Sequence, residues 1–165
     1  SVQANKIAAL LRSYHWAGYF FGKKTFSLQS YYFKDNSFHF NRFYNILRFD
    51  SNKLKKDAAL EVIKEINRLK PKFFMGFPFD ILMLSKFAAE EGLTVNSPDS
   101  IVTYGETLSK RKREQLEEAF RCRVFNFYSL HESAAMISEC EHGNLHLIED
   151  FAYHEIIDEN GNDAS

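Results

Sequence analysis

Apolar residues recur at helical spacing at the start of the chain, with Ile7, Leu10 and Leu11 on one stripe, which predicts a first helix over Ala4 to Ser13. Trp16-Ala17-Gly18-Tyr19 then breaks the pattern. From Thr25 to Phe49 aromatic and polar residues alternate, as in Tyr31-Tyr32-Phe33 and Phe38-His39-Phe40. That period of two predicts half-buried strands, with Lys34-Asp35-Asn36-Ser37 as the turn between them. Helical spacing returns with Leu60, Ile63 and Ile66 on one stripe, so a surface helix runs to about Lys70, with Ser51 placed to cap it.

Three similar units follow, each a short apolar strand running into a helix. Lys72 to Gly76 leads to a helix over about Phe79 to Glu91 that Gly92 ends, and Ser100 to Tyr104 leads to one over about Lys110 to Phe120. Arg123 to Tyr128 leads to a short helix near Ser133 to Ile137. Strands alternating with helices imply a mostly parallel sheet of three or four strands, flanked by helices. Beyond it, Asn144 to Leu147 and Tyr153 to Asp158 alternate as a small antiparallel extension would. The fold class is therefore α/β.

Composition narrows the function. The chain has 165 residues, enough for one domain with a substantial core, and its 45% hydrophobic and 26% charged residues suit a globular protein. The 17 Phe and 8 Tyr could stack bases, but a formal net charge of -1 argues against nucleic acid as a partner. Only two cysteines, Cys122 and Cys140, are present, so no disulfide framework is expected and a reducing cytoplasm is the expected home. No run approaches the ~20 apolar residues of a membrane span, and the start has no signal-peptide pattern, so no membrane is expected either. The basic run Lys110 to Arg113, followed by Glu114, Glu117 and Glu118, reads as a solvated helix face with pairs such as Arg113 with Glu117.

Ligands of open parallel sheets sit outside the carboxyl ends of the strands. The loops Gly76-Phe77-Pro78, Gly105-Glu106-Thr107 and Ser129-Leu130-His131-Glu132 all leave strands and can face one crevice. Gly105 lets something approach the backbone closely, and Ser109 can cap the helix that follows. In Tyr128 to Glu132 a flat aromatic ends a strand and a carboxylate follows four residues on, which suits adenine stacking beside a magnesium ion. A core tyrosine beside an exposed His-Glu loop would give the same pattern.

Taken in order, Gly76-Phe77-Pro78, Tyr104-Gly105-Glu106, Tyr128-Ser129-Leu130-His131-Glu132, Glu139-Cys140, Leu145-His146, Glu149-Asp150 and Glu155-Ile156-Ile157-Asp158 resemble the phenylacetate-CoA ligase and capsule-biosynthesis-type ligases of the acyl-adenylate-forming superfamily. The resemblance covers most of the chain. It implies ATP, magnesium and coenzyme A as cofactors and a small carboxylic acid, aryl or aliphatic, as substrate. It places Gly105 and Glu106 along the adenine, Phe127 and Tyr128 as its aromatic wall, Ser129 beside it, and Glu132 on the magnesium. Gly76, Phe77 and Pro78 would border the acyl pocket. Ser129 stands where the family has glycine, an awkward exchange if the backbone there needs positive φ.

The same resemblance makes Cys140 and His146 half of a structural zinc site that a later Cys-x-Cys completes; read alone, Cys140, His142 and His146 are a buried thiol and two loop histidines. It would place a phosphate loop before Ser1, and the C-terminal domain with its catalytic lysine after Ser165. Residues 1 to 165 are thus expected to be an incomplete AMP-binding domain, inactive alone and without catalytic residues of its own. A non-catalytic nucleotide- or zinc-binding relative is the alternative. A glycosyltransferase-like domain comes third, since the chain has no convincing paired-carboxylate motif for a diphosphate.

Overall fold

The structure, a computed structural model, describes residues 2 to 30, 38 to 130, 135 to 150 and 152 to 164. The elements in chain order are helix α1 (Val2–Trp16), strands β1 (Thr25–Gln29), β2 (Phe38–Asn41) and β3 (Ile46–Asp50), and helix α2 (Lys56–Leu69). They continue with β4 (Phe73–Gly76), α3 (Pro78–Glu90), β5 (Ser100–Thr103), α4 (Lys110–Phe120), β6 (Arg123–Ser129), β7 (Met136–Glu139) and β8 (Leu145–Leu147). Among the described residues the strands form one sheet of eight, in the order β2-β3-β1-β4-β5-β6-β7-β8. From β3 to β6 neighbours pair in parallel, while β2, β7 and β8 add antiparallel edges. The α/β class with a mostly parallel sheet is as expected, although the sheet is larger than three or four strands.

Side chains alternate across the strands and sort into two cores. Phe26, Leu28, Leu47, Phe49, Phe74, Ile101 and Val124 face one side, where Ala59, Val62, Ile63, Ile66, Ile81, Leu84, Leu116 and Phe120 of α2, α3 and α4 cover them. These three helices share a face because each connects parallel strands of the same sheet. The other side carries Phe73, Val102, Phe125 and Phe127, packed against Ala9 and Ala17 with Leu10, Tyr14 and Trp16 at their margin. Helix α1 therefore packs on the opposite face from the other three.

Several local expectations change. Ser51 does not cap α2: Asp50 instead caps a single 3-10 turn over Ser51–Lys53, accepting from the Asn52 amide at 3.2 Å. The Ser51 hydroxyl bonds Asp80 in the first turn of α3. Helix α2 starts five residues later without a side-chain cap, and the Lys34 to Ser37 turn lies outside the described residues. Ser109 does cap α4, accepting from the Lys112 amide at 3.3 Å.

Met136 and Ile137 belong to β7 rather than to a helix. Strand β6 is longer than β5, and its last residues, Phe127 to Ser129, take β7 as an antiparallel partner. Strand β8 pairs with β7, not with Tyr153 to Asp158, where an isolated bridge joins Ile157 to Asp163. No helix among the described residues is long and apolar enough to cross a membrane.

Candidate functional site

The ends of β4, β5 and β6 stand side by side, so the loops that leave them meet. Gly76 is needed because a β-carbon there would stand 2.1 Å from the carbonyl oxygen of Leu28 on β1. Gly105, at φ +75°, carries the second constraint: a β-carbon on it would stand 2.4 Å from Cε1 of Phe77. The Phe77 ring thus lies directly against the Gly105 backbone. It also meets Tyr104 edge to face, with ring centroids 6.0 Å apart. Pro78 opens α3 at its first position, where a missing amide hydrogen costs nothing.

Glu106 ties the two loops to their helices. Its Oε2 accepts from the Phe79 amide at 3.4 Å, at the start of α3, and from Lys112 Nζ of α4 at 3.3 Å. Asp80 lies close by, and burial pushes its carboxyl above the usual range; the Ser51 hydroxyl opposes the shift and the Glu106 charge adds to it. On the sheet face under α1, the Tyr104 hydroxyl bonds Gln29 Oε1 at the end of β1.

Phe127 and Tyr128 alternate in β6 and so point to opposite faces. Phe127 is 4% exposed and packs edge to face on Tyr14 at 5.5 Å. Tyr128 is 49% exposed, and its ring is the one open to a ligand. Ser129 is still in the strand, paired with Met136, and it is absent from the residues with positive φ. Serine therefore fits this backbone without strain. The Leu130 amide bonds the Ala135 carbonyl at 3.1 Å and closes the loop between β6 and β7. His131 and Glu132 lie outside the described residues.

Three side chains, Glu117, Glu139 and Arg113, organise the far edge of β6. Glu117 Oε1 accepts from the Val124 amide at 3.0 Å, Glu139 Oε2 accepts from the Asn126 amide at 2.9 Å, and Arg113 donates to the Val124 carbonyl. They satisfy backbone groups that β7, paired only with Phe127 to Ser129, does not reach. Arg113 therefore pairs with Glu139, at 2.7 and 3.1 Å, instead of with Glu117 one helical turn away. Glu139 is 5% exposed.

Cys140 is buried, and its amide bonds Asn144 across the turn into β8. Ser138 faces His146 in the register, so Cys140 and His146 share one face of the hairpin. The His146 ring lies 5.2 Å from that of Trp16, and His142 is exposed in the turn. Among the described residues no group of three or more His, Cys, Asp or Glu side chains could hold a metal ion.

No family model matches the chain. Protein CapK of Staphylococcus aureus is 29% identical over 86 residues, 52% of this chain and 19% of that protein. The structure is similar to a 2-hydroxyisobutyryl-CoA ligase in complex with 2-HIB-AMP and CoA in the thioesterification state. The TM-score is 0.72 at 16% identity, covering 97% of this chain and 36% of that one. It is also similar to an anthranilate CoA ligase in complex with anthranoyl-AMP, with a TM-score of 0.65 at 14% identity over 98% of this chain and 33% of that one.

These likenesses establish the fold: the sheet and its helices are those found in adenylate-forming ligases. The chain spans about a fifth of the curated relative and about a third of the two ligases.

Proposed function

We propose that this chain is the central part of an AMP-binding domain in a longer, ATP-dependent acid-CoA ligase, similar to phenylacetate-CoA ligase and capsule-biosynthesis ligases. One observation carries the reading: the Gly105 backbone, the Phe77 ring and the open Tyr128 ring gather at the carboxyl ends of three adjacent parallel strands. Both the fold and the position of a ligand site in such sheets favour a nucleotide there.

On this reading adenine stacks on Tyr128, with the Gly105 and Glu106 backbone along its edge and Ser129 beside it. Phe127 supports the wall from beneath, through its packing on Tyr14. Glu132 would hold magnesium at the phosphates, and Gly76, Phe77 and Pro78 border the acid. The carboxylate attacks the α-phosphate and releases pyrophosphate; the thiol of coenzyme A then takes the acyl group and releases AMP. These residues contribute orientation and fixed dipoles, while the reacting lysine and the phosphate loop belong to other segments.

Cys140 and His146 would be two ligands of a zinc ion whose other two lie outside this chain, so the chain purified alone is expected to hold less than stoichiometric zinc. The localisation consistent with this activity is the cytoplasm.

Titration with ATP tests the nucleotide reading. Tyr128→Ala is expected to weaken ATP binding by the longer enzyme about tenfold or more, because a stacked aromatic contributes ~1–3 kcal/mol per base. Unchanged affinity would remove Tyr128 from the site.

A further inference from the structure

At the end of the sheet opposite the candidate site, the segments that lead into the parallel strands lie side by side, because Thr25 is in register with both Ile46 and Phe73. Two of these segments carry aromatic tips. Phe20 and Phe21 precede β1, Phe43 and Tyr44 precede β3, and all four rings are exposed, Phe43 at 72%. Phe21 meets Phe43 and Tyr44 edge to face at 5.4 and 5.8 Å, so three of them form one cluster. The backbone beneath is braced. Asn41 Oδ1 accepts from the Tyr44 amide at 3.0 Å, and Asn45 donates its side-chain amide to the Gly22 carbonyl at 2.9 Å. A single exposed aromatic is ordinary, whereas a group of them on one face marks a contact surface.

The same end is basic. Residues 20 to 24, 42 to 45, 70 to 72, 97 to 99 and 121 to 122, which directly precede β1, β3, β4, β5 and β6, hold six lysines and arginines against one acid, Asp99. Asp99 is engaged by Lys23 and Lys72, at 3.2 and 3.7 Å. Arg42, Lys70 and Arg121 are exposed. Arg42 adjoins Phe43 in the chain, and the Lys70 to Lys72 segment is tied to the aromatic tips by the Lys72 amide, which bonds the Lys24 carbonyl at 2.8 Å. In a chain of formal net charge -1, this is a segregated positive end and not the average surface.

We propose that this end of the domain docks on an anionic membrane surface. Phe20, Phe21 and Phe43 enter the boundary between headgroups and acyl chains, and Tyr44 keeps its hydroxyl among the headgroups. Arg42, Lys70 and Lys72 meet the lipid phosphates and carboxylates. Charge complementarity selects this occupant: the basic end repels a second copy of itself, whereas an anionic leaflet offers many negative groups in one plane. Aromatic loop tips enter a fluid interface without needing a matching pocket. Such docking requires no membrane-spanning helix. The candidate nucleotide site, at the other ends of the strands, then faces away from the lipid.

Co-sedimentation of the chain with vesicles tests this, using phosphatidylcholine alone and phosphatidylcholine mixed with phosphatidylserine at about three to one. Each base near an anionic surface contributes about fivefold in partitioning. Binding to the mixed vesicles is therefore expected to be at least about tenfold stronger, and to weaken at high salt. Arg42→Gln with Lys70→Gln should lower it about tenfold or more. Phe21→Ser with Phe43→Ser should lower it while leaving its salt dependence. Lys110→Gln with Arg111→Gln, at the start of α4, should leave it unchanged. All six side chains are exposed, and circular dichroism checks that the variants are folded.

No binding, equal binding to both vesicles, binding unaffected by the Phe21 and Phe43 changes, or an equal loss in the Lys110 and Arg111 variant would overturn the proposal. Vesicle binding by the chain and not by the longer enzyme would show that another segment covers this face. Self-association that Phe21→Ser with Phe43→Ser abolishes, without vesicle binding, would assign the face to a second copy. Either result also overturns it.

Discussion

At the scale of single residues, backbone space and burial decide what each position tolerates. Gly105→Ala puts a β-carbon against the Phe77 ring at positive φ, so a loss of about 1–3 kcal/mol is expected in urea denaturation. Gly76→Ala meets the Leu28 carbonyl oxygen, which cannot swing aside as a ring can. Its loss should be larger, about 3 kcal/mol or more.

Ser129 sits in ordinary strand backbone, so Ser129→Gly is expected to leave ATP affinity in the longer enzyme unweakened. Titration of the variant checks this.

Cys122 shows burial acting on chemistry. Its thiol is pushed up to about 12, first by burial and then by the charges of Glu117 and Asp99. The folded state therefore holds the proton more tightly than the unfolded state, where the thiol ionises near 9. The resulting contribution to stability is complete below pH 9 and is lost as pH rises toward 12. Iodoacetamide should leave Cys122 unmodified at pH 8 in the native protein and modify it after unfolding, as mass spectrometry would show. Rapid native labelling would contradict the raised pKa of this half-buried thiol.

At the scale of elements, side chains stand in for a missing strand. Glu117, Arg113 and Glu139 satisfy β6 at Val124 and Asn126. Glu139→Ala leaves the Asn126 amide and the Arg113 guanidinium without that partner, a loss expected at about 2–4 kcal/mol. A double-mutant cycle with Arg113→Met measures how much of it belongs to the pair. Helix α4 ends at Arg121 in the left-handed conformation, φ 50°. Arg121→Gly is expected to stabilise by up to ~1 kcal/mol, read as a higher urea midpoint.

The same scale explains what was legible in the sequence. The strand and helix of each unit through α4 are visible because one apolar run or stripe decides each. Met136 and Ile137 read as helix after Ser133-Ala134-Ala135, but the unpaired end of β6 takes them as a strand. Tyr153 to Asp158 alternates like a strand, yet Tyr153 is 87% exposed and, among the described residues, the segment pairs only through the Ile157 to Asp163 bridge. Alternation records a capacity to pair; a partner decides whether it is used.

Across the whole molecule, the arrangement follows from connectivity. Crossovers through α2, α3 and α4 cover one face, and α1 crosses the other. Tyr128, Gly105 and Phe77 were legible as candidates because strand-end loops of a parallel sheet converge. The Tyr104 bond to Gln29 and the pairing of Arg113 with Glu139 were not. They depend on which strands become neighbours, which spacing along the chain does not encode.

We propose that this scaffold belongs to an enzyme that activates carboxylic acids with ATP. Carboxylate-dependent exchange of labelled pyrophosphate into ATP, measured on the longer enzyme with a panel of aryl and aliphatic acids, tests it most directly. Exchange that requires both an acid and magnesium, and that falls with Tyr128→Ala, is the expected result; no exchange with any acid would contradict the account.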